Sequence, residues 1–140
     1  MTVLSAATDV IQRDPTLVMG ATCADLPVEI QRLWPKFEHL VGLQGRKMYA
    51  LVDVEACSYV TCTPIRADDD ANALELQVTE LPGGRYRRGR VCGEPPAIYA
   101  LIAPGVAELM AAGAADATRP IVEFYKRRDE IELWVPIGNS

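Results

Sequence analysis

Residue types that bind metals are scarce in this sequence. It holds a single histidine, His39, and its four cysteines include no C-x-x-C pair. Cys57 and Cys62 lie five residues apart and far from His39, so zinc is a weak alternative to free thiols in a reducing compartment. We therefore predict no metal site and no cofactor.

Long apolar runs and an excess of positive charge are also missing. No apolar stretch approaches the roughly 20 residues that cross a bilayer, and the first residues lack the basic and apolar regions of a signal peptide. The formal net charge of −5 gives no general attraction to nucleic acids or anionic membranes. These features predict a cytoplasmic protein without a direct nucleic-acid or membrane partner.

The pattern of apolar residues predicts an α+β fold. Strand-like segments cover residues 15–24, 47–55, 58–66, 74–81, 85–93 and, as a closing hairpin, 121–137, while residues 1–14 form a short strand or a loose arm. Helical spacing covers 25–42, with Asp25 as N-cap, and 94–113, with Pro35 and Pro104 as kinks or ends. The resulting order, β-α-β-β twice with a connecting strand, predicts an antiparallel sheet with both helices on one face.

Alternation along the strands divides the side chains between two faces. The face against the helices is expected to carry Val122, Phe124, Ile131, Leu133, Val135 and Ile137, with Met48, Ala50, Val60 and Cys62. The opposite face is expected to carry Tyr49, Tyr59, Tyr125, Trp134, Glu123 and Glu132. Aromatic rings bind flat or cationic groups, and carboxylates among them supply a counter-charge. This face is therefore a candidate pocket for a lipophilic cation or a flat aromatic compound.

Glu123 is the most informative residue, because it lies in the middle of the apolar and aromatic segment "IVEFY". A buried carboxylate costs several kcal/mol unless it is paired. Glu123 is therefore either a counter-ion for a ligand or a structural acid tied to an arginine or a tyrosine. Arg88 and Arg90 share a face with Tyr86, so either of them could neutralise Glu123.

Several short segments together resemble the GyrI-like, or AraC-type effector-binding, domain superfamily, whose fold also forms the drug-binding part of some multidrug-sensing regulators. They fall in the family's order over residues 15–137: Leu33-Trp34 with Phe37, Tyr59 with Cys62, Pro82-Gly83-Gly84-Arg85-Tyr86, Gly93 with Pro95, Glu123-Phe124-Tyr125, and Trp134-Val135-Pro136-Ile137. The chain departs from the family at Arg87-Arg88-Gly89-Arg90, where an apolar strand is usual. The helix-turn-helix of the family's regulators is also missing from this sequence.

The resemblance implies one domain over residues 1–140, with two βαββ units related by a pseudo-twofold axis and a central ligand cleft. It implies that Glu123 faces this cleft beside Tyr125, and that Tyr59, Tyr86 and Trp134 line it. Tyr49 and Glu132 are added from strand alternation alone.

Three functions are compatible with the resemblance. The first is a stand-alone protein that senses or sequesters lipophilic aromatic compounds, cationic ones included. The second is a hydrolase of strained-ring compounds, with Glu123 acting on water and Tyr125 or Tyr86 as proton donor. The third is a protein-interaction module resembling a DNA gyrase inhibitor, with an unknown partner. A haem site on His39 is a weak alternative taken from distant relatives of the fold.

Overall fold

The computed structural model describes residues 2–138, which form eight strands and two α-helices. The strands are β1 (Asp9–Arg13), β2 (Thr16–Ala24), β3 (Met48–Asp53), β4 (Ser58–Pro64), β5 (Gln77–Leu81), β6 (Gly84–Cys92), β7 (Ile121–Arg127) and β8 (Glu130–Pro136). The helices are α1 (Pro27–Val41) and α2 (Ile102–Ala111), the second of which follows a short 3-10 segment, Ala97–Leu101. The predicted element order is confirmed, and residues 1–14 contain a strand.

All eight strands belong to one antiparallel sheet in the order β1-β6-β8-β7-β3-β4-β2-β5. The units β2-α1-β3-β4 and β6-α2-β7-β8 repeat the same connectivity, and the two units meet where β3 pairs with β7 at the centre of the sheet. The edge strands are exchanged: β1 precedes the first unit but pairs with β6, whereas β5 precedes the second unit but pairs with β2.

This exchange curls the sheet. Only two residues separate β1 from β2, and two separate β5 from β6, although these strands lie toward opposite ends of the sheet. The two connections also touch each other, since a Cβ placed on Gly83 would lie 2.7 Å from Pro15. All eight strands contribute to one apolar cluster on the face without helices, which includes Val18, Leu81, Tyr86 and Trp134. We call this side the concave face.

Both helices lie on the other side, which we call the helix face. Phe37 of α1 packs with Met19 and Met48, Leu109 of α2 packs with Leu133 and its neighbours, and Tyr125 adjoins both clusters. The α1 prediction needs two corrections. Its N-cap is Leu26 rather than Asp25, and Pro35 does not end the helix, although an end at this residue was one of the two predicted effects. The ring of Pro35 is on the exposed side of α1, where the loss of one backbone donor is tolerated.

The predicted division of side chains between the faces is partly wrong. It is confirmed for β8, where Ile131, Leu133 and Val135 pack beneath α2 and Trp134 lies on the concave face. In β7 it is reversed, because Glu123 pairs with Leu133 on the helix face while Val122 and Phe124 lie on the concave face.

The same reversal occurs in β4. Tyr59 and Thr61 lie on the helix face, and Val60 and Cys62 lie on the concave face. The prediction assumed that the more apolar set of alternating side chains faces the helices. That assumption failed because both faces of this sheet are buried, so an apolar side chain does not identify the face beneath the helices.

Within residues 2–138, no helix is long and apolar enough to cross a membrane.

Candidate functional site

The buried acid Glu123 is at the centre of the sheet. Its strand, β7, pairs with β3 on one side and β8 on the other, where Glu123 lies opposite Ala50 and Leu133. The methyl side chain of Ala50 leaves room on the helix face for larger groups from neighbouring positions. Glu123 is 7% exposed.

Two tyrosine hydroxyls contact the carboxylate. Tyr125 donates a hydrogen bond to Glu123 Oε1 at 2.6 Å, and the Tyr59 hydroxyl lies 3.4 Å from the same oxygen. The two hydroxyl oxygens are 3.2 Å apart. Tyr59 and Tyr125 are brought together because β4 and β7 flank β3, which places both residues on the helix face.

Trp34 of α1 covers these side chains on the helix face. Its Nε1–H donates a hydrogen bond of 2.9 Å to the Tyr59 hydroxyl, and its ring meets Tyr125 edge-on with centroids 4.9 Å apart. Trp34 was not among the residues predicted to line a pocket, because it follows the helical spacing of the apolar face of α1. We call Trp34, Tyr59, Glu123 and Tyr125 the acid cluster.

The acid cluster has no positive charge of its own. Within residues 2–138, no lysine, arginine or histidine forms an ion pair with Glu123. Burial raises the pKa of Glu123 to about 7, although the hydrogen bonds from Tyr125 and Tyr59 oppose the shift, and the negative charge of Asp25 adds to it. Burial, reinforced by the negative charge of Glu123, also raises the pKa of both tyrosines.

The arginines that were candidates to neutralise Glu123 lie on the concave face instead. Arg88 forms a salt bridge of 2.6 Å with Asp9, and its other terminal nitrogen lies 3.7 Å from Glu132. Arg90 lies 3.9 Å from Glu130. The possibility of an Arg88–Glu123 or Arg90–Glu123 pair is therefore wrong, because alternation in β6 directs both arginines away from the helix face.

The remaining predicted site residues do not join the acid cluster. Tyr49, Tyr86 and Trp134 are buried in the concave core, and the Tyr49 ring stacks on Phe124 at a centroid distance of 4.7 Å. Glu132 is also on the concave face, where it accepts a hydrogen bond of 3.0 Å from Trp134. Of the seven residues predicted from the sequence, the structure brings together Glu123, Tyr125 and Tyr59.

The metal alternatives find no support in the geometry. Cys57 is exposed in the turn after β3, while Cys62 is buried in the concave core and His39 is exposed on α1. The part of the chain from 2 to 138 contains no group of three or more histidine, cysteine, aspartate or glutamate residues that could hold a metal ion.

The chemistry available to the acid cluster follows from one buried acid enclosed by three aromatic rings. With a pKa of about 7, Glu123 exchanges a proton near neutral pH. Its ionised form has no counter-ion within residues 2–138, and three aromatic side chains that can contact a cation lie beside it. The cluster can therefore bind a proton or, if Trp34 moves aside, an organic cation with aromatic groups.

Comparison with known proteins finds relatives by structure alone. No protein-family model and no curated protein sequence matches this chain. A crystal structure of an integron cassette protein, VCH_CASS2, from the mobile metagenome of Vibrio cholerae has a TM-score of 0.77, with 19% identity over 94% of this chain and 95% of that chain.

Two further solved structures have names that refer to a ligand or an activity. A structure of SAV2435 bound to tetraphenylphosphonium has a TM-score of 0.65 and 13% identity, over 95% of this chain and 94% of that chain. A hydrolase from Listeria innocua has a TM-score of 0.58 and 9% identity, over 94% and 91%. At these identities the likeness establishes the fold, which also occurs in a protein that binds a lipophilic aromatic cation.

Proposed function

We propose that this chain is a GyrI-like small-molecule-binding protein that senses or sequesters lipophilic aromatic cations at the acid cluster. Glu123 would be the counter-ion of the ligand, and Tyr59, Tyr125 and Trp34 would contact its aromatic groups. The predicted roles of Tyr49, Tyr86, Trp134 and Glu132 as ligand contacts are not part of this proposal, because these side chains lie on the concave face.

The observation that carries the proposal is the buried, unpaired carboxylate. Folding a chain around such a group is unfavourable, and burying a paired or neutral residue in its place would remove the penalty. Glu123 accepts hydrogen bonds from phenols, which leave its charge uncompensated. A cationic ligand would supply the missing charge in a site of low dielectric, where the attraction is strong.

Binding requires a rearrangement of Trp34. Its indole covers Tyr125 and bonds to Tyr59, yet it remains partly exposed at the protein surface. Trp34 also packs edge-on against Phe37, with ring centroids 6.3 Å apart. We expect a flat aromatic group of the ligand to displace the indole and to stack on Tyr125, which would replace these contacts. The structure of SAV2435 with bound tetraphenylphosphonium supports this cation as the first probe.

The test is a calorimetric titration with tetraphenylphosphonium at pH 8, where Glu123 is ionised. Glu123→Gln is expected to weaken binding about 100-fold, the usual loss when one partner of a buried charge pair is removed. Glu132→Gln is the matched control, since Glu132 is buried to the same degree on the concave face. Uncharged triphenylphosphine oxide should bind the wild type and Glu123→Gln equally.

Equal binding of tetraphenylphosphonium to the wild type and Glu123→Gln would contradict the proposal. An equal loss of tetraphenylphosphonium affinity in Glu123→Gln and in Glu132→Gln would also contradict the proposal. Such a result would indicate an effect of fold or net charge rather than of the acid cluster.

The hydrolase alternative rests on the burial of Glu123, which raises its pKa to about 7, a value that suits a general acid or base at neutral pH. The Tyr125 hydroxyl, which donates a hydrogen bond of 2.6 Å to this carboxylate, would orient it. Incubation with an epoxide or an aziridine, followed by mass spectrometry of the products, distinguishes the two functions. Turnover that Glu123→Gln abolishes would favour hydrolysis, whereas stoichiometric binding without turnover would favour sensing or sequestration.

A further inference from the structure

A cavity lies on the concave face, where the curled sheet opens at the start of β2 and the ends of β4 and β5. It has a volume of about 340 Å³, within the size range of sites for small molecules. Its lining includes four cationic side chains, Arg13, Arg46, Lys47 and Arg66. We call this cavity the basic pocket.

The positive charge of the basic pocket is only partly compensated. Asp69 forms a bidentate pair with Arg46, with distances of 2.5 and 2.7 Å, and also accepts a hydrogen bond from the backbone N–H of Arg66. Within residues 2–138, no carboxylate forms an ion pair with Arg13, Lys47 or Arg66. Three unpaired cations thus converge in a protein whose net charge is −5.

Arg46 carries a buried donor that lacks an acceptor. Its side chain is 6% exposed, and its Nε is buried without a hydrogen-bond partner in the part of the chain that the structure describes. A buried unsatisfied donor of a charged group is costly. This atom is closed off from water and Asp69 holds both terminal nitrogens of Arg46, so a ligand would meet the other three cations of the pocket.

The residues at the base of the pocket are buried and apolar or aromatic, whereas those at its mouth are exposed and charged. Tyr49 and Leu81 are buried at its base, and Lys47 and Arg66 are exposed at its mouth. The guanidinium of Arg13 lies 4.9 Å above the centre of the Trp134 ring and beside the Tyr49 hydroxyl, where its charge opposes the rise that burial causes in the pKa of Tyr49. The pocket therefore offers positive charge above an apolar and aromatic base.

We propose that the basic pocket binds a small organic anion. Its carboxylate or phosphate group would lie among Arg13, Lys47 and Arg66, and its compact apolar body would pack on Tyr49 and Leu81. Arginine and lysine side chains form strong, charge-assisted hydrogen bonds with both kinds of anion. This site is distinct from the acid cluster, because it lies on the opposite face of the sheet and selects the opposite charge.

The experiment is a calorimetric titration of the full chain with phenyl phosphate and with inorganic phosphate at constant ionic strength. Phenyl phosphate is expected to bind more tightly, because its ring adds contact with the apolar base. Lys47→Gln and Arg13→Gln should each weaken its binding about tenfold, the effect of losing one charge-assisted contact. Arg32→Gln is the matched control, since Arg32 is 70% exposed on α1, away from the pocket.

A fluorescence measurement locates the bound anion independently. The chain has two tryptophans, so Trp34→Phe leaves Trp134, which lies beneath Arg13, as the single reporter. Phenyl phosphate should change its emission, and tetraphenylphosphonium should not displace the anion. The proposal would be overturned if neither probe bound at millimolar concentration, if Arg32→Gln weakened binding as much as Lys47→Gln, or if both phosphates bound with equal affinity.

Discussion

Two buried glutamates in the closing hairpin have opposite surroundings. Glu123 on the helix face is 7% exposed, and Glu132 on the concave face is 3% exposed. Glu132 accepts a hydrogen bond from Trp134, lies 3.3 Å from the Lys126 ammonium and lies 3.7 Å from Arg88. Glu123 has tyrosine hydroxyls around it and no cation within ion-pair distance in residues 2–138.

The difference separates a structural acid from a candidate binding acid. Both side chains are removed from water to a similar degree, so burial alone does not distinguish them. At Glu132 the chain supplies the counter-charges itself, as expected of a carboxylate that stabilises the fold. At Glu123 it supplies dipoles only, which leaves the charge available to a ligand. Burial raises the pKa of this acid to about 7, although the hydrogen bonds from the tyrosines oppose the shift.

The largest expected effect is on the pH dependence of stability. Because the folded-state pKa of Glu123 lies above the ordinary value of 4.5, its contribution to stability is present below pH 4.5 and is lost as pH rises through 7. The loss amounts to about 3 kcal/mol. Glu123→Gln should therefore be more stable than the wild type by about 2 to 3 kcal/mol at pH 8, and about equal to it at pH 4.

Urea unfolding from pH 4 to pH 9 measures this difference, with Glu132→Gln as the control. The control should not be stabilised at pH 8, because it loses two ion pairs. If Glu123→Gln were destabilised at pH 8, the carboxylate of Glu123 would have a compensating partner, and the contrast with the paired Glu132 would be wrong.

A smaller effect is expected when the counter-charges of Glu132 are removed. The double variant Arg88→Ala, Lys126→Ala leaves this acid with the Trp134 N–H alone, which should cost about 2 kcal/mol at pH 7. The estimate is below that for a fully buried pair, because the partner side chains are 25% and 36% exposed and solvent screens them. Adding Glu132→Gln to the double variant should recover most of the loss. If the triple variant were as unstable as the double variant, Arg88 and Lys126 would stabilise the fold through contacts other than those with Glu132.

The smallest effect concerns the short hydrogen bond within the acid cluster. Tyr125→Phe removes the donor 2.6 Å from Glu123 and should destabilise the protein by about 1 kcal/mol at pH 8. It should also raise the pKa of Glu123 above that of the wild type, because the bond favours the ionised form. Carbon-13 NMR titration of labelled glutamate side chains follows this change. Tyr99→Phe, at an exposed position on the surface, should leave it unchanged.

The element order and the sheet were predictable from the sequence, because periodicity and turn residues act locally. The duplicated β-α-β-β order and the antiparallel sheet were predicted, whereas the pairing of β3 with β7 at the centre was not. The position of Glu123 within "IVEFY" identified it as an unusual acid before any contact was known. Tyr125 and Tyr59 were also identified, since the resemblance matched both.

The faces and the partners of Glu123 were not predictable in the same way. A curled sheet buries both faces, so Val122 and Phe124 are as apolar on the concave face as Leu133 is beneath α2. The contact of Trp34 with Tyr59 joins residues 25 positions apart in the chain, and it depends on how α1 lies over the sheet. The basic pocket likewise combines residues from β1 and from the loops before β3 and after β4.

If Glu123 is the counter-ion of a cationic ligand, its protonated form must release a proton when the ligand binds. Calorimetry of tetraphenylphosphonium binding at pH 6, in buffers with different ionisation enthalpies, measures the protons released. With a pKa of about 7, Glu123 is mostly protonated at this pH, so release of about 0.9 proton per bound cation is expected, together with weaker binding than at pH 8. Binding without proton release, and with the same affinity at both pH values, would contradict the account.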